Sequence, residues 1–240
     1  MKKIIPYIKG LLLLAFVVFL YGFTSQRNNA KKIEKLNINF ENGDNLFITY
    51  DMVNKLLIQS YDGLQSLPKE NIFLNKLEQT LLSNEMVENA EVFISVNGEL
   101  GVLIKQKTPI ARVNQRGKTF YIDSKGKRMP LSSNYSARVP IVIGIQNDKI
   151  SEEIFKLSTL IYNDDFLKKQ IIAIEQRSVN EFVLRTRMGN QMVELGSLNR
   201  IDQKVKKLKA FYQKVIKENT IENYKTINLM YNSQVVCTKN

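Results

Sequence analysis

The stretch AEVFISVNGELGVLIKQKTPIAR, residues 90–112, contains two strand-like runs followed by a domain junction. The runs, residues 90–96 and 100–105, flank Asn97-Gly98, the dipeptide that favours a two-residue type I′ turn because both central residues take positive φ. Pro109 follows the second run, and a proline at this point is typical of a boundary. The stretch therefore predicts a β-hairpin that ends one domain and leads into another.

The residues before this hairpin predict a strand and two helices. Residues 36–40 alternate apolar and polar side chains, which indicates a half-buried strand. Thr49 or Asp51 is suited to capping a helix that Asp62-Gly63 ends. The apolar positions of the two helices are Val53, Leu56, Leu57 and Tyr61 in the first, and Leu74, Leu77, Leu81 and Leu82 in the second. The predicted order is strand, helix, helix, strand, strand, an α+β domain at residues 36–108.

The N-terminal segment predicts a membrane anchor. Residues 4–23 are almost all apolar and would span roughly 30 Å as a helix, which matches the hydrocarbon core of a bilayer. A cleaved signal peptide is the alternative, but Gly22-Phe23-Thr24-Ser25 makes a poor cleavage site. We therefore predict a short cytoplasmic tail, one transmembrane helix and a neck within residues 1–35. Lysines and arginines flank the span on both sides, so charge counting does not decide its orientation.

Residues 109–240 predict a mainly antiparallel β domain with helices packed on its sheet. Strand-like runs alternate with glycine-containing turns, and helical periodicity occurs only at residues 152–162 and 201–217. The second helix places Ile201, Val205, Leu208, Phe211 and Val215 on one face, which favours packing on its own sheet over lying on a membrane. The predicted strands are residues 110–113, 119–122, 139–143, 171–176, 182–186, 192–195, 226–231 and 234–237.

Composition excludes several classes of protein. The chain has 240 residues, one cysteine and no histidine, so an intramolecular disulfide and a Ser-His-Asp triad are impossible. Ser66-Leu67-Pro68-Lys69 and Ser124-Lys125-Gly126-Lys127 fit the Ser-x-x-Lys of some acyl-transfer enzymes, but the accompanying motifs are missing. The net charge of +12 comes from dispersed lysines without a nucleic-acid-binding motif. We predict a protein that is not an enzyme, holds no cofactor or metal and binds no nucleic acid.

Several short motifs, taken in order, resemble those of the bacterial cell-division family FtsQ/DivIB. The junction VLIKQKTPIAR at residues 102–112 is followed by YIDSKG at 121–126 and MP at 129–130. VPIVIG then stands at 139–144, VELG at 193–196 and INL at 227–229. The junction and turn residues that carry the resemblance are Pro109, Ala111, Arg112, Asp123 and Gly126. For Asp123 and Gly126 we expect an Asp-x-x-Gly turn in which the carboxylate binds nearby amides.

This resemblance implies a fold, a location and partners. It implies a POTRA-like domain followed by a β domain, both periplasmic, in a single-pass type II protein of the inner membrane enriched at the septum. It further implies a divisome scaffold that regulates septal peptidoglycan synthesis through FtsB- or FtsL-type partners. A membrane-anchored POTRA-based chaperone or translocation factor is the alternative. The residues implied in adding a partner strand are Tyr231, Asn232, Ser233, Gln234, Val235 and Val236.

Overall fold

The computed structural model describes residues 5–29, 35–43, 45–60, 73–95, 97–145 and 150–240. The chain divides into two compact units, Met1–Gln106 and Lys107–Asn240. The predicted helix end at Asp62-Gly63 and the Ser66-x-x-Lys69 motif lie outside the described residues. Residues 1–4 and residues 30–34 of the predicted neck also lie outside the described residues.

Helix α1 (Ile5–Asn29) forms the N-terminal part of the first unit. Its apolar side chains from Leu11 to Phe23 are largely exposed, with Leu11 72% and Phe19 66% accessible. Among the described residues, however, none of the helices combines the length and the apolar character that crossing a membrane requires. The predicted transmembrane helix is therefore not supported by the described part of the chain.

The rest of the first unit has the predicted β-α-α-β-β order. Its elements are β1 (Lys35–Phe40), α2 (Tyr50–Ser60), α3 (Leu74–Leu82), β2 (Val87–Ile94) and β3 (Glu99–Gln106). The three strands pair in the order β1-β3-β2, with β1 parallel and β2 antiparallel to β3. Thr49 Oγ1 accepts a hydrogen bond from Met52 N at 3.4 Å, as expected for a cap of α2. The fully buried residues of its core are Ile48, Val53, Leu57, Leu77, Leu81, Leu100, Val102 and Ile104.

The turn between β2 and β3 differs from the predicted two-residue type. Ser95 N donates to Glu99 O at 2.9 Å, and Gly98 N donates to Ser95 O at 3.0 Å. The ladder thus closes between Ser95 and Glu99, and Gly98 has φ 91°. This pattern is a hairpin whose loop ends in a glycine with positive φ. The prediction of a hairpin was correct, but the type I′ turn was wrong because the register closes one residue earlier.

The second unit is built on one large sheet. Its strands are β4 (Pro109–Gln115), β5 (Lys118–Asp123), β6 (Arg128–Met129), β7 (Ile141–Ile143), β8 (Ile171–Ser178), β9 (Glu181–Thr186), β10 (Met192–Gly196), β11 (Tyr224–Asn228) and β12 (Val236–Lys239). Among the described strands the order is β12-β11-β10-β9-β8-β7-β4-β5-β6. The pairs β4-β7, β7-β8 and β10-β11 are parallel. The sheet is therefore mixed. Helices lie between the strands of the parallel pairs β7-β8 and β10-β11, whereas β5 and β6 lie between β4 and β7.

Helices α4 (Glu152–Asn163) and α6 (Ile201–Lys217) contribute buried side chains to the core of this sheet, as predicted. The short helix α5 (Asp165–Gln170), which was not predicted, contributes Leu167 to the same core. All five predicted apolar residues of α6 are buried or pack against the core, but its most buried positions include two that were not predicted. Lys204, Leu208, Tyr212 and Val215 are its buried residues, while Ile201, Val205 and Phe211 are only partly buried. The inward face is thus rotated toward Lys204 and Tyr212, two residues with polar ends that the apolar pattern did not include.

Candidate functional site: the C-terminal sheet edge

Strand β12 lies at one edge of the large sheet. It pairs antiparallel with β11, with Val236 opposite Asn228, Cys237 opposite Ile227 and Thr238 opposite Thr226. Among the described strands β12 has no second neighbour. An edge strand leaves one row of backbone N–H and C=O groups without a ladder partner, so its outer side can accept another strand.

The backbone direction at each β12 position follows from one hydrogen bond. Asn240 N donates to O of Asn223, the residue directly before β11, at 3.1 Å, so the Asn240 N–H points to the β11 side. Successive residues of an extended strand alternate, and the register shift in this pair lies on β11 between Tyr224 and Thr226. Thr238 and Val236 therefore also face β11. The N–H and C=O groups of Cys237 and Lys239 point away from the sheet, where an added strand would lie.

The side chains around β12 divide between the core and solvent. Val235 and Cys237 pack partly against the core of the unit, whereas Val236 is 41% exposed. Burial raises the pKa of the Cys237 thiol, which keeps it protonated at neutral pH. The edge therefore presents an apolar, uncharged side chain at Val236 beside its outward backbone groups.

The residues predicted to bind a partner lie mostly in the loop before β12. Tyr231, Asn232 and Ser233 form an exposed bend, and Gln234 and Val235 follow it without regular structure. Of the six predicted residues, only Val236 belongs to the edge strand as the structure has it. The strand begins two residues later than predicted and continues to Lys239, because its length is set by pairing with β11.

Contacts with neighbouring elements hold this loop. Lys207 Nζ on α6 donates a hydrogen bond to Tyr231 O. Leu229 N donates to Glu194 O at 2.9 Å, and Asn228 Nδ2 donates to Glu194 Oε2 at 2.6 Å. Met230 N in turn donates to Asn228 Oδ1 at 2.9 Å. The approach to β12 is thus fixed by β10, by α6 and by a local asparagine turn.

Lys204 links α6 to the end of β10 and was not predicted. Its Nζ donates to Leu195 O and to Ser197 O, both at 2.7 Å, and the residue is 8% exposed. Burial, together with the nearby charges of Lys207 and Arg200, lowers the pKa of Lys204. Lys204 lies four residues before Leu208 and therefore on the same face of the helix, which could have indicated that it is buried. A lysine at such a position is, however, more often exposed to solvent.

The junction and turn residues lie far from β12 in the sheet order. Strands β11, β10, β9, β8 and β7 separate β12 from β4, which contains Pro109, Ala111 and Arg112. Pro109 begins β4, and Ala111 is fully buried. Arg112 donates hydrogen bonds to Tyr121 Oη and Ser136 Oγ. The structure therefore does not bring these residues together with the C-terminal edge.

Asp123 and Gly126 form the expected tight turn between β5 and β6. Asp123 Oδ1 accepts hydrogen bonds from Lys125 N at 2.9 Å and from Lys127 N at 2.7 Å. Gly126 has φ 76°, a conformation that favours glycine, and Phe155 lies beside it. The buried carboxylate of Asp123 thus serves the turn, which supports a structural role over metal binding.

Two family models match the chain. Residues 31–105 match the POTRA-like domain, and residues 108–238 match the model described as FtsQ/DivIB, C-terminal related. No curated protein matches the sequence closely enough to count as a relative. The second match covers more than half of the chain and includes the large sheet except for Lys239, the last residue of β12. The chain therefore belongs to the FtsQ/DivIB family of cell-division scaffold proteins.

Proposed function

We propose that this chain is a non-enzymatic scaffold of the septal divisome that captures an FtsB- or FtsL-type partner by strand addition along β12. The observation that carries the proposal is that β12 pairs with only one of the described strands, β11, on one of its two sides. Strand addition uses main-chain hydrogen bonds for affinity and alternate side-chain contacts for specificity. Recruitment of septal peptidoglycan synthesis would follow from this contact, without any reaction by the scaffold itself.

Strand β12 is short, so the partner must bind by side-chain contacts as well as by backbone hydrogen bonds. Two β12 residues, Cys237 and Lys239, point both backbone groups outward. Each hydrogen bond contributes only about 0.5–1.5 kcal/mol net, so backbone pairing alone gives weak capture. Apolar contacts with Val236 and with the ring of Tyr231, which is 52% accessible, would supply the rest of the binding free energy. The partner segment is therefore expected to bear apolar side chains facing this loop.

We further propose that α1 attaches the protein to the inner membrane, with both units in the periplasm and the protein enriched at the septum. Exposed apolar side chains between Leu11 and Phe23 support this attachment, because such a surface is unstable in water. Val17→Glu should release the protein from the membrane fraction. A variant that sediments with membranes like the wild type would contradict attachment by α1.

A proline substitution at Cys237 tests whether the partner strand binds the outer side of β12. Proline removes a backbone N–H, and at Cys237 that N–H points away from β11, so the native pairing should remain. We expect Cys237→Pro to keep its thermal unfolding midpoint within a few degrees but to lose co-purification of the FtsB-type partner. Cys237→Val, which retains the N–H and an apolar side chain, is the matched control. Equal recovery of the partner with both variants would overturn the proposal.

A further inference from the structure

Strand β2 lies at one end of the first unit's sheet among the described strands, and a glutamate side chain binds the middle of its outer side. Glu78, on α3, accepts a hydrogen bond from Val92 N at 2.9 Å through its Oε1. Val92 is the sixth residue of β2, which lies at one end of the strand order β1-β3-β2. A side-chain carboxylate thus takes a position that a neighbouring strand's carbonyl would occupy.

The hairpin register shows which β2 groups point outward. Ser95 N donates to Glu99 O, so Ser95 faces β3, and alternation places Phe93 and Glu91 in the same direction. Ala90, Val92 and Ile94 consequently direct their N–H and C=O groups away from β3. These three residues form the outer ladder of β2, and Glu78 binds the central one.

Packing of α3 holds Glu78 at this position. Leu77 and Leu81 are fully buried beneath the helix, and Glu78 follows Leu77 directly. An ionised carboxylate accepts hydrogen bonds but donates none. It therefore satisfies Val92 N while presenting no donor to an approaching strand. The contact prevents an added strand from pairing with Val92 N. Charged side chains protect the edge strands of natural proteins in a comparable way.

The surroundings of this edge are acidic although the whole chain is basic. Residues 73–95 contain four glutamates, Glu78, Glu85, Glu88 and Glu91, and one lysine, Lys76, whereas the full chain has a net charge of +12. Glu88 lies 3.7 Å from Lys105, but Glu85 and Glu91 are exposed. Pairing of two copies through β2 would bring like charges together, which is destabilising. Charge complementarity instead favours a strand that carries lysine or arginine.

We propose that β2 is a second strand-acceptor edge, closed by Glu78 and opened when an extended basic segment of another protein displaces that carboxylate from Val92 N. The site lies in the first unit and is independent of β12. Its bound form replaces the Glu78 contact by a backbone carbonyl and places the basic side chains of the segment near Glu85 and Glu91. Glu78 then acts as a positioning residue that sets how readily the edge opens.

The test compares two variants that remove the same charge. Glu78→Gln keeps a side-chain oxygen that can accept from Val92 N, whereas Glu78→Ala removes it. The probe is a nine-residue synthetic peptide of alternating lysine and valine, measured against the full-length protein in detergent by fluorescence anisotropy. A copy of the peptide with N-methyl groups on alternate residues cannot form the ladder and serves as the control for simple charge attraction.

We expect the unmodified peptide to bind Glu78→Ala about fivefold more tightly than Glu78→Gln, which corresponds to the net contribution of one hydrogen bond. The N-methylated peptide should bind both variants equally and weakly. Equal affinities of the unmodified peptide for the two variants would overturn the closing role of Glu78. Equal binding of the methylated and unmodified peptides would overturn strand addition at β2.

Discussion

Lys207 on α6 donates a hydrogen bond from its ammonium group to the backbone oxygen of Tyr231, where the chain turns toward β12. One turn earlier on the same helix, Lys204 binds two carbonyls at the end of β10. The two lysines therefore connect α6 to both the strand and the loop that lead to the free edge. This arrangement makes the position of the edge depend on a helix that does not itself belong to the sheet.

Lys207→Ala should weaken partner capture without unfolding the unit. The lost hydrogen bond is exposed and contributes about 1 kcal/mol at most, so the affinity for the FtsB-type partner should fall three- to fivefold. Surface plasmon resonance with immobilised partner measures this change. Lys206→Ala removes the neighbouring exposed lysine and should leave affinity unchanged. A similar loss in both variants would indicate a general charge effect instead of a loop contact.

Val235 and Val236 should respond differently to aspartate. Val235 packs partly against the core, so Val235→Asp places a charge where burial is costly and should lower the thermal midpoint. Val236 is 41% exposed, so Val236→Asp should leave the midpoint nearly unchanged and reduce partner binding at least tenfold. Circular dichroism on heating and co-purification separate the two effects. Normal partner recovery with Val236→Asp would contradict docking at this side chain.

The order of most elements was predictable from sequence, whereas the short elements β6 and α5 and the details of the edge were not. Apolar periodicity alone locates α6 at Ile201–Lys217, as the structure has it. The start of β12 depends on its register with β11, a long-range pairing that no local pattern contains. Lys204 turns inward because two backbone carbonyls at the bulge near Gly196 accept hydrogen bonds from its ammonium group. The role of Glu78 was likewise not predictable, because its hydrogen bond to Val92 N depends on how α3 packs against β2.

Two glycines with positive φ should differ sharply in their tolerance of alanine. Gly117 has φ 77° with no atom within 4 Å of a built β-carbon, so Gly117→Ala should cost only about 1–2 kcal/mol for the left-handed backbone. Gly144 has φ 84°, and its added β-carbon would collide with the backbone oxygen of Gln176. Gly144→Ala should therefore cost at least about 3 kcal/mol. Urea denaturation followed by circular dichroism compares them, and equal midpoints would contradict the predicted collision.

Tyr212 should make the stability of the second unit sensitive to alkaline pH. Its hydroxyl donates to Gln191 Oε1 within the core, and Gln191 Nε2 donates to Ile221 O at 2.8 Å. Burial raises the pKa of Tyr212 above its usual value of about 10. The folded state therefore keeps a proton that the unfolded state loses. Its contribution is fully present below pH 10 and is lost as pH rises through the folded pKa.

Replacing Tyr212 with phenylalanine isolates this contribution. At neutral pH Tyr212→Phe should reduce the free energy of unfolding by about 1–3 kcal/mol, because Gln191 Oε1 loses its buried donor. From pH 9 to pH 11 the variant should lose stability less steeply than the wild type, since its unfolding no longer releases that proton. Tyr231→Phe removes an exposed hydroxyl and should keep the wild-type slope. Parallel pH profiles for wild type and Tyr212→Phe would show that the buried hydroxyl does not control the alkaline transition.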